Sequence, residues 1–333
     1  MTDTARAGEG RLDRAAARGW IGRVVRGDAW TAGLIVIFVA LFVLTRILRP
    51  SFDLSGLAIA SLPVAFAAAG QAIVVISGGI DLSIGSVMAL TNVLAATLLV
   101  DASPEASVPI VMLVLVAGLM IGMINGVLVV VSRVPDIVVT LAMLFVWAGA
   151  ALLVMGTPGG GSTPWLRELI TGDVGIGLIP RALIVLLAIV GIVWIPLRRS
   201  RLGLSIYAIG SNQLAAFRSG VQVARTKIVA YALAGFFGAL GGVSLTASTG
   251  IGTPIPGPYL LLSVAAIVLG GVSLAGGRGG LLGPIVGIYI LGLLRADLTF
   301  IGMEPAYSQV IQGVIMVVVV MVGAYVTLRR RTA

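Results

Sequence analysis

The stretch Leu62-Pro63-Val64-Ala65-Phe66-Ala67-Ala68-Ala69-Gly70-Gln71-Ala72-Ile73-Val74-Val75-Ile76-Ser77-Gly78-Gly79-Ile80-Asp81-Leu82-Ser83 carries two marks of the whole chain. Its first part completes an apolar run from Gly56 to Ser77, and ~20 apolar residues suffice for a helix to cross the bilayer core. Two glycines, a carboxylate and a hydroxyl then interrupt the run before apolar sequence resumes at Ile84. An ionisable group beside an apolar span is costly unless satisfied, so this break reads as a functional candidate. Comparable runs are Trp30 to Leu48, Ile84 to Val100, Val108 to Val131, Ile137 to Met155 and Pro180 to Leu197. Four more follow, at Thr226 to Ser248, Tyr259 to Leu274, Leu281 to Leu294 and Ser308 to Val326. The pattern predicts an all-α, polytopic membrane protein with about ten transmembrane helices, some of them broken. The segments around Ile84 and Leu281 are short enough to be re-entrant, and counts of nine or eleven stay open.

Composition points the same way. Of 333 residues, 59% are hydrophobic and 11% charged, against about a quarter charged in a soluble domain. Mean hydropathy is +1.12. There is no cysteine and no histidine, which excludes disulfides, thiol chemistry, imidazole metal sites and histidine acid–base catalysis. Neither a catalytic residue, a metal nor a cofactor is expected. A net charge of +9 suggests nucleic acid in a soluble protein. Here it is assigned to arginines flanking spans at membrane lipid, and no nucleic acid is expected. The glycine-rich stretch Gly156 to Ile179 reads as a surface loop and not a phosphate loop, because the chain's only lysine is Lys227.

Arginine and lysine set the orientation. They crowd the tail of residues 1–29, the segment from Arg198 to Lys227, and residues 329–333. An even number of spans puts all three on one side, which the positive-inside rule makes cytoplasmic. The membrane domain is thus expected over residues 30–328, between two cytosolic tails. Asp101, Glu105, Glu168, Asp173 and Glu304 fall outside, while Arg46 and Arg49 run against the scheme.

Three polar interruptions stand out. At the first, Asp81 or Ser83 either caps the next helix, with the glycines permitting the tight entry, or contacts a substrate. Its run Ala72 to Leu82 echoes Ala266 to Leu274, pairing Gly78-Gly79 with Gly270-Gly271 and placing Ser273 after the second break. Gly118 and Gly122 likewise have counterparts in Gly283 and Gly287. Paired, glycine-interrupted segments suggest a two-half internal repeat with a pathway between the halves. In the segment 198–227, Asn212 is expected to cap a short helix that runs to Arg218 and stops at Gly220. Such a helix either docks into another protein or lies on anionic headgroups. The third, Gly276-Gly277-Arg278-Gly279-Gly280, allows close approach, with Arg278 an orientation charge or a partner contact. The amides Gln71, Asn92, Asn125, Gln309 and Gln312 either bond between helices or face a polyol.

Several blocks in order then resemble one family. Ile76-Ser77-Gly78-Gly79-Ile80-Asp81-Leu82-Ser83-Ile84-Gly85-Ser86, Ile124-Asn125-Gly126, and Val134-Pro135 with Ile137 and Thr140-Leu141 come first. Tyr207-Ala208-Ile209-Gly210-Ser211-Asn212 with Ala215-Ala216 and Ser219-Gly220, and Leu269-Gly270-Gly271-Val272-Ser273-Leu274-Ala275-Gly276-Gly277-Arg278-Gly279, complete the match. Over about Pro50 to Val326, the chain resembles the permease subunits of bacterial ribose-type ABC importers, the sugar branch of a family that includes branched-chain amino acid permeases. Asp136, Phe217 with Arg218, and Arg295-Ala296-Asp297 depart from that pattern.

The resemblance implies an inner-membrane subunit without enzymatic activity that moves a monosaccharide or related polyol. Its implied partners are a second permease, identical or not, an extracytoplasmic sugar-binding protein and a cytosolic ABC ATPase. It makes Gln71, Gly78, Gly79, Asp81, Ser83, Asn92, Asn125, Gly270, Gly271 and Ser273 the pathway candidates. Tyr207, Gly210, Ser211, Asn212, Ala215, Ala216, Arg218, Ser219 and Gly220 become the candidates for ATPase coupling, which favours protein docking for that segment. The alternatives are an ABC permease for nucleosides or branched-chain amino acids, and an ion-coupled secondary transporter. The last expects several intramembrane acids, and Asp81 is nearly alone.

Overall fold

Small side chains decide which helices lie at the centre. The computed structural model describes residues 30–175, 179–255, 257–304 and, in part, 306–321. Its helices are α1 (Trp30–Leu48), α2 (Leu54–Ile76), α3 (Ile84–Leu99), α4 (Pro104–Ser132), α5 (Asp136–Val154), α6 (Pro164–Ile170), α7 (Arg181–Arg199), α8 (Arg201–Ser211), α9 (Gln213–Arg218), α10 (Val223–Thr249), α11 (Tyr259–Leu269) and α12 (Leu282–Phe300). Among the long apolar helices, the alanine- and glycine-rich α2 and α10 are the most enclosed, with 89% and 72% of their most apolar windows buried. They meet at Phe66 and Phe237, whose ring centroids are 6.5 Å apart.

On its other side α10 receives α4 along Gly118, Gly122 and Gly126, one glycine per turn. A Cβ on Gly118 would sit 2.7 Å from the Gly235 carbonyl oxygen, one on Gly122 would sit 2.9 Å from the Gly235 Cα, and one on Gly126 would sit 2.8 Å from the Ile228 Cα. In lipid, where apolar burial does not drive helices together, such backbone proximity supplies the packing energy. Gly122→Leu therefore drives α4 off α10, with an expected loss of ~3 kcal/mol. Thermal unfolding of the detergent-purified protein measures it. A melting temperature within a degree of the wild type means the two helices do not need this approach.

The outward faces invert the pattern of a soluble protein. Ile47 is 70% exposed, Phe145 69%, Leu153 91% and Ile192 74%. Exposed side chains of this kind along α1, α4, α5 and α7 give these helices apolar outer faces suited to acyl chains. Among the described residues, seven helices are long and apolar enough to cross a membrane: α1, α2, α4, α5, α7, α10 and α12. The chain is a multi-pass, all-α membrane protein.

Several expectations change in detail. The segment at Leu281, short enough in sequence to be re-entrant, is the 19-residue α12. The run Tyr259 to Leu274 stops early, because α11 ends at Leu269 after 11 residues, too short to span alone at ~1.5 Å per residue. With 16 residues, α3 is also short. Of the stretch Gly156 to Ile179, residues 156–175 are tied down and contain α6, with Leu166 and Ile170 buried. There Trp165 Nε1 donates to Ser107 Oγ at 2.6 Å, and Gly159 exchanges backbone hydrogen bonds with Gly252. Gln309 and Gln312, the tails 1–29 and 329–333, and most of the last apolar run lie outside the described residues.

Candidate functional site

Two helix ends share one geometry. At the end of α2, Ser77, Gly78 and Gly79 donate their N–H groups to the carbonyls of Ile73, Val75 and Val74. At the end of α11, Gly270, Gly271 and Val272 donate to Ala266, Val268 and Ile267. Crossed bonds of this kind close a helix on a left-handed residue, here Gly78 at φ 84° and Gly271 at φ 77°. The register differs by one residue from the pairing read in the sequence: Ser77-Gly78, not Gly78-Gly79, matches Gly270-Gly271. The other glycine of each pair has a separate cause. A Cβ on Gly79 would meet Asp136 Oδ2 at 2.7 Å and the Tyr231 hydroxyl at 2.9 Å, whereas one on Gly270 would overlap Pro284 and Gly283 on α12. Elements around the breaks differ in length, so the likeness of the two halves rests on the breaks alone.

Past the first break, Asp81 and Ser83 act together without either being a conventional helix cap. The Ser83 side chain makes no capping bond to α3. Asp81 Oδ1 instead accepts from the Ser83 N–H at 2.8 Å and from its hydroxyl at 2.6 Å. Asn125 on α4 then donates to Ser83 Oγ at 2.8 Å, and Trp147 on α5 donates to Asn125 Oδ1 at 3.0 Å. Asp81 is 2% exposed and Asn125 fully buried. The carboxylate stands just ahead of the α3 N-terminus, where the helix dipole favours negative charge.

Asn92 is elsewhere and fully engaged. Its amide nitrogen donates to Thr246 Oγ1 at 2.8 Å and its oxygen accepts from the Thr253 N–H at 2.7 Å, tying α3 to α10 and the loop beyond it. Gln71 differs: it is completely buried in α2, and neither amide atom has a partner among the described residues. Ser273 donates its N–H to the Arg278 carbonyl, folding the loop after α11 on itself.

The hairpin of α8 and α9 reaches both breaks. Gly78, Gly210 and Gly276 meet with almost no side-chain volume between them. A Cβ on Gly276 would lie 2.7 Å from the Gly210 carbonyl oxygen and 3.0 Å from the Gly78 Cα, and one on Gly210 would overlap the Ile76 carbonyl. The same Ile76 carbonyl accepts the Gly277 N–H at 2.9 Å. Tyr207 donates to the Gly279 carbonyl at 2.7 Å. Burial pushes its hydroxyl pKa up, against the pull of Arg198, so it stays a donor. Ser211, behind Tyr207, faces Gly277. Asn212 caps α9 by accepting the Ala215 N–H at 2.9 Å, and Gly220 at φ 84° follows Ser219 and closes that helix, as its sequence predicts. Ala216 is buried, whereas Phe217 and Arg218 are exposed.

Residues 54–320 match the family described as the permease component of branched-chain amino acid transport systems. The chain belongs to this family of transport permeases. The permease is 35% identical over 297 residues to the ribose import permease protein of Bacillus subtilis, covering 85% of this chain and 90% of that one. To the Escherichia coli ribose import permease protein it is 36% identical over 264 residues, covering 78% and 81%. The autoinducer 2 import system permease protein of Escherichia coli is 31% identical over 267 residues, covering 78% and 79%. No solved structure matches the permease at a significant level.

One group in the permease escaped the sequence reading. Lys227 Nζ lies 3.2 Å from both carboxylate oxygens of Asp136, and Tyr231 donates to Asp136 Oδ2 at 3.1 Å. Asp81 is therefore not nearly alone, since a second acid stands at the same break. The two partners are 91 residues apart in sequence. The available signal was Asp136 at a position where the family pattern has an apolar residue.

Proposed function

We propose that the permease carries a monosaccharide or related polyol inward across the bacterial inner membrane. A second permease subunit completes the pathway, an extracytoplasmic binding protein delivers the sugar, and a separate cytosolic ATPase supplies the energy. Both termini are cytoplasmic on this reading. Similarity to ribose import permeases across most of the chain supports the substrate class. The observation that carries the mechanism is the seating of the α8–α9 hairpin on both helix breaks at Gly78, Gly210 and Gly276. A partner that pushes on the hairpin moves two broken helices together, and broken helices are where transporters place their sites.

On this reading the hairpin takes the ATPase, and Arg218 offers it an exposed charge. The breaks and the Asp81–Ser83–Asn125 chain border the pathway. Gln71 supplies an amide with one acceptor and two donors to a passing hydroxyl, while Asn92 holds α3 to α10. The family description favours a second reading, import of a branched-chain amino acid. Stimulation of the ATPase by a sugar-loaded or an amino-acid-loaded binding protein separates the two.

Reconstitution with the ATPase and binding protein tests the proposal. Ribose uptake into liposomes should require ATP, and uptake driven by an ion gradient alone sinks it. Charge reversal at Arg218, by Arg218→Glu, is expected to lower the yield of co-purified ATPase about tenfold, a loss of ~1.4 kcal/mol. Unchanged co-purification removes Arg218 from the docking surface.

A further inference from the structure

Between the end of α4, the start of α5 and the α9–α10 connection lies a groove of about 880 Å³, lined among others by Arg133, Asp136, Gln213, Phe217, Arg225 and Lys227. The Lys227–Asp136 ion pair is thus part of the same concavity as the outer face of α9. Its side chains are 14% and 16% exposed, enough to be reached from the groove and too little for water to screen the pair fully.

From that pair a set of polar groups within hydrogen-bonding reach of one another leads to the first helix break. Asp136 Oδ2 accepts from Tyr231, whose hydroxyl also lies 3.3 Å from the Ile80 carbonyl oxygen. Thr140, one turn beyond Asp136 on α5, places Oγ1 3.1 Å from that same oxygen and 2.9 Å from the Asp136 carbonyl. A break in a membrane helix strips its carbonyls of their intrahelical donors, and each must find another. The Ile80 carbonyl has two hydroxyls within reach, each with a single proton to give: Thr140, which otherwise bonds back to the Asp136 carbonyl, and Tyr231, which the Asp136 carboxylate holds in place. Gly79 leaves room for this, since a Cβ there would occupy the place of the Asp136 carboxylate. Next in the chain after Ile80 is Asp81.

We propose that Lys227 and Asp136 are positioning residues that lock the α2–α3 break to the start of α10, so that a displacement of α9 reaches Ile80 and Asp81. This rests on the importer reading, in which α9 is where the ATPase acts. Lys227 follows α9 by a short connection at the head of α10, and Asp136 heads α5, so the ion pair joins two helix starts that share no covalent link nearby. Breaking the pair leaves the hairpin attached and the break unattended.

The test uses the full-length permease with its ATPase and binding protein in liposomes, with ribose as the probe sugar. Asp136→Asn and Lys227→Gln should each lower the ribose carried per ATP hydrolysed by about fivefold or more, the lower end of ordinary coupling between sites. Combining the two should restore the ratio to within about twofold of wild type, since a neutral amide pair refills the hydrogen bonds without a stranded charge. Uptake and hydrolysis falling together, at an unchanged ratio, overturn the proposal, because a purely structural pair does that. Hydrogen exchange of the Ile80 to Ser83 amides in the permease alone gives a readout that needs no substrate. It should quicken in each single variant and return towards wild type in the double variant, and unchanged exchange in the single variants overturns the proposal. A wild-type assembly that takes up no ribose counts against the substrate reading, and the exchange measurement still decides the lock.

Discussion

Gly210→Ala is expected to abolish most ATP-dependent uptake, by about a hundredfold or ~3 kcal/mol. The added methyl would overlap the Ile76 carbonyl oxygen and stand 2.6 Å from the Gly277 nitrogen. Both are backbone atoms, so no rotamer change relieves the contact. Either α8 retreats or the Gly277–Ile76 hydrogen bond breaks, and both separate the hairpin from the two breaks. Gly149→Ala in α5 is the control, since its Cβ meets nothing within 4 Å and helical alanine is favoured over glycine by about 0.5–1 kcal/mol. Melting temperature and uptake are measured on both. The expected pattern is a Gly210→Ala protein that still folds and binds ATPase but transports little. Wild-type uptake by that variant would show that the glycine contact transmits nothing.

The sequence disclosed the elements far better than their meetings. Apolar length alone located α1 to the residue and α2, α5 and α10 to within three residues, because lipid demands a continuous apolar helix and tolerates little else. Local rules also sufficed for α9, where Asn212 and Gly220 bound a helix by chemistry confined to adjacent residues. They failed where two causes produce the same letter. Gly78 and Gly271 are needed for a left-handed turn, Gly79 for a carboxylate from α5, and Gly270 for the close approach of α12. Aligning the halves by their glycine pairs mixed these causes and shifted the register by one. The meeting of Gly78, Gly210 and Gly276 has no sequence signature, since it depends on where three separate segments cross. Asp136 and Lys227 were hidden by the same distance: each looks like an ordinary charge at a helix start until tertiary packing pairs them.

Asp81→Ala should cost nearly as much as Gly210→Ala, for a chemical reason instead of a steric one. Removing the carboxylate leaves the Ser83 N–H and hydroxyl without the acceptor they share, at about 1–3 kcal/mol for each buried group left unpaired. The hydroxyl is also what Asn125 donates to, and Asn125 is what Trp147 donates to. The loss therefore spreads to α4 and α5, and uptake should fall by a factor of tens. Asp81→Asn separates geometry from charge. Its amide oxygen can accept both Ser83 bonds at the same reach, and a neutral group is easier to bury in this site than a carboxylate. Uptake at half the wild-type rate or better is expected from that variant, with a melting temperature no lower than wild type. If Asp81→Asn loses as much uptake as Asp81→Ala while remaining folded, the negative charge itself acts on the substrate or on the moving helix. The turn at Ser83 would then be only the means of holding that charge at the break.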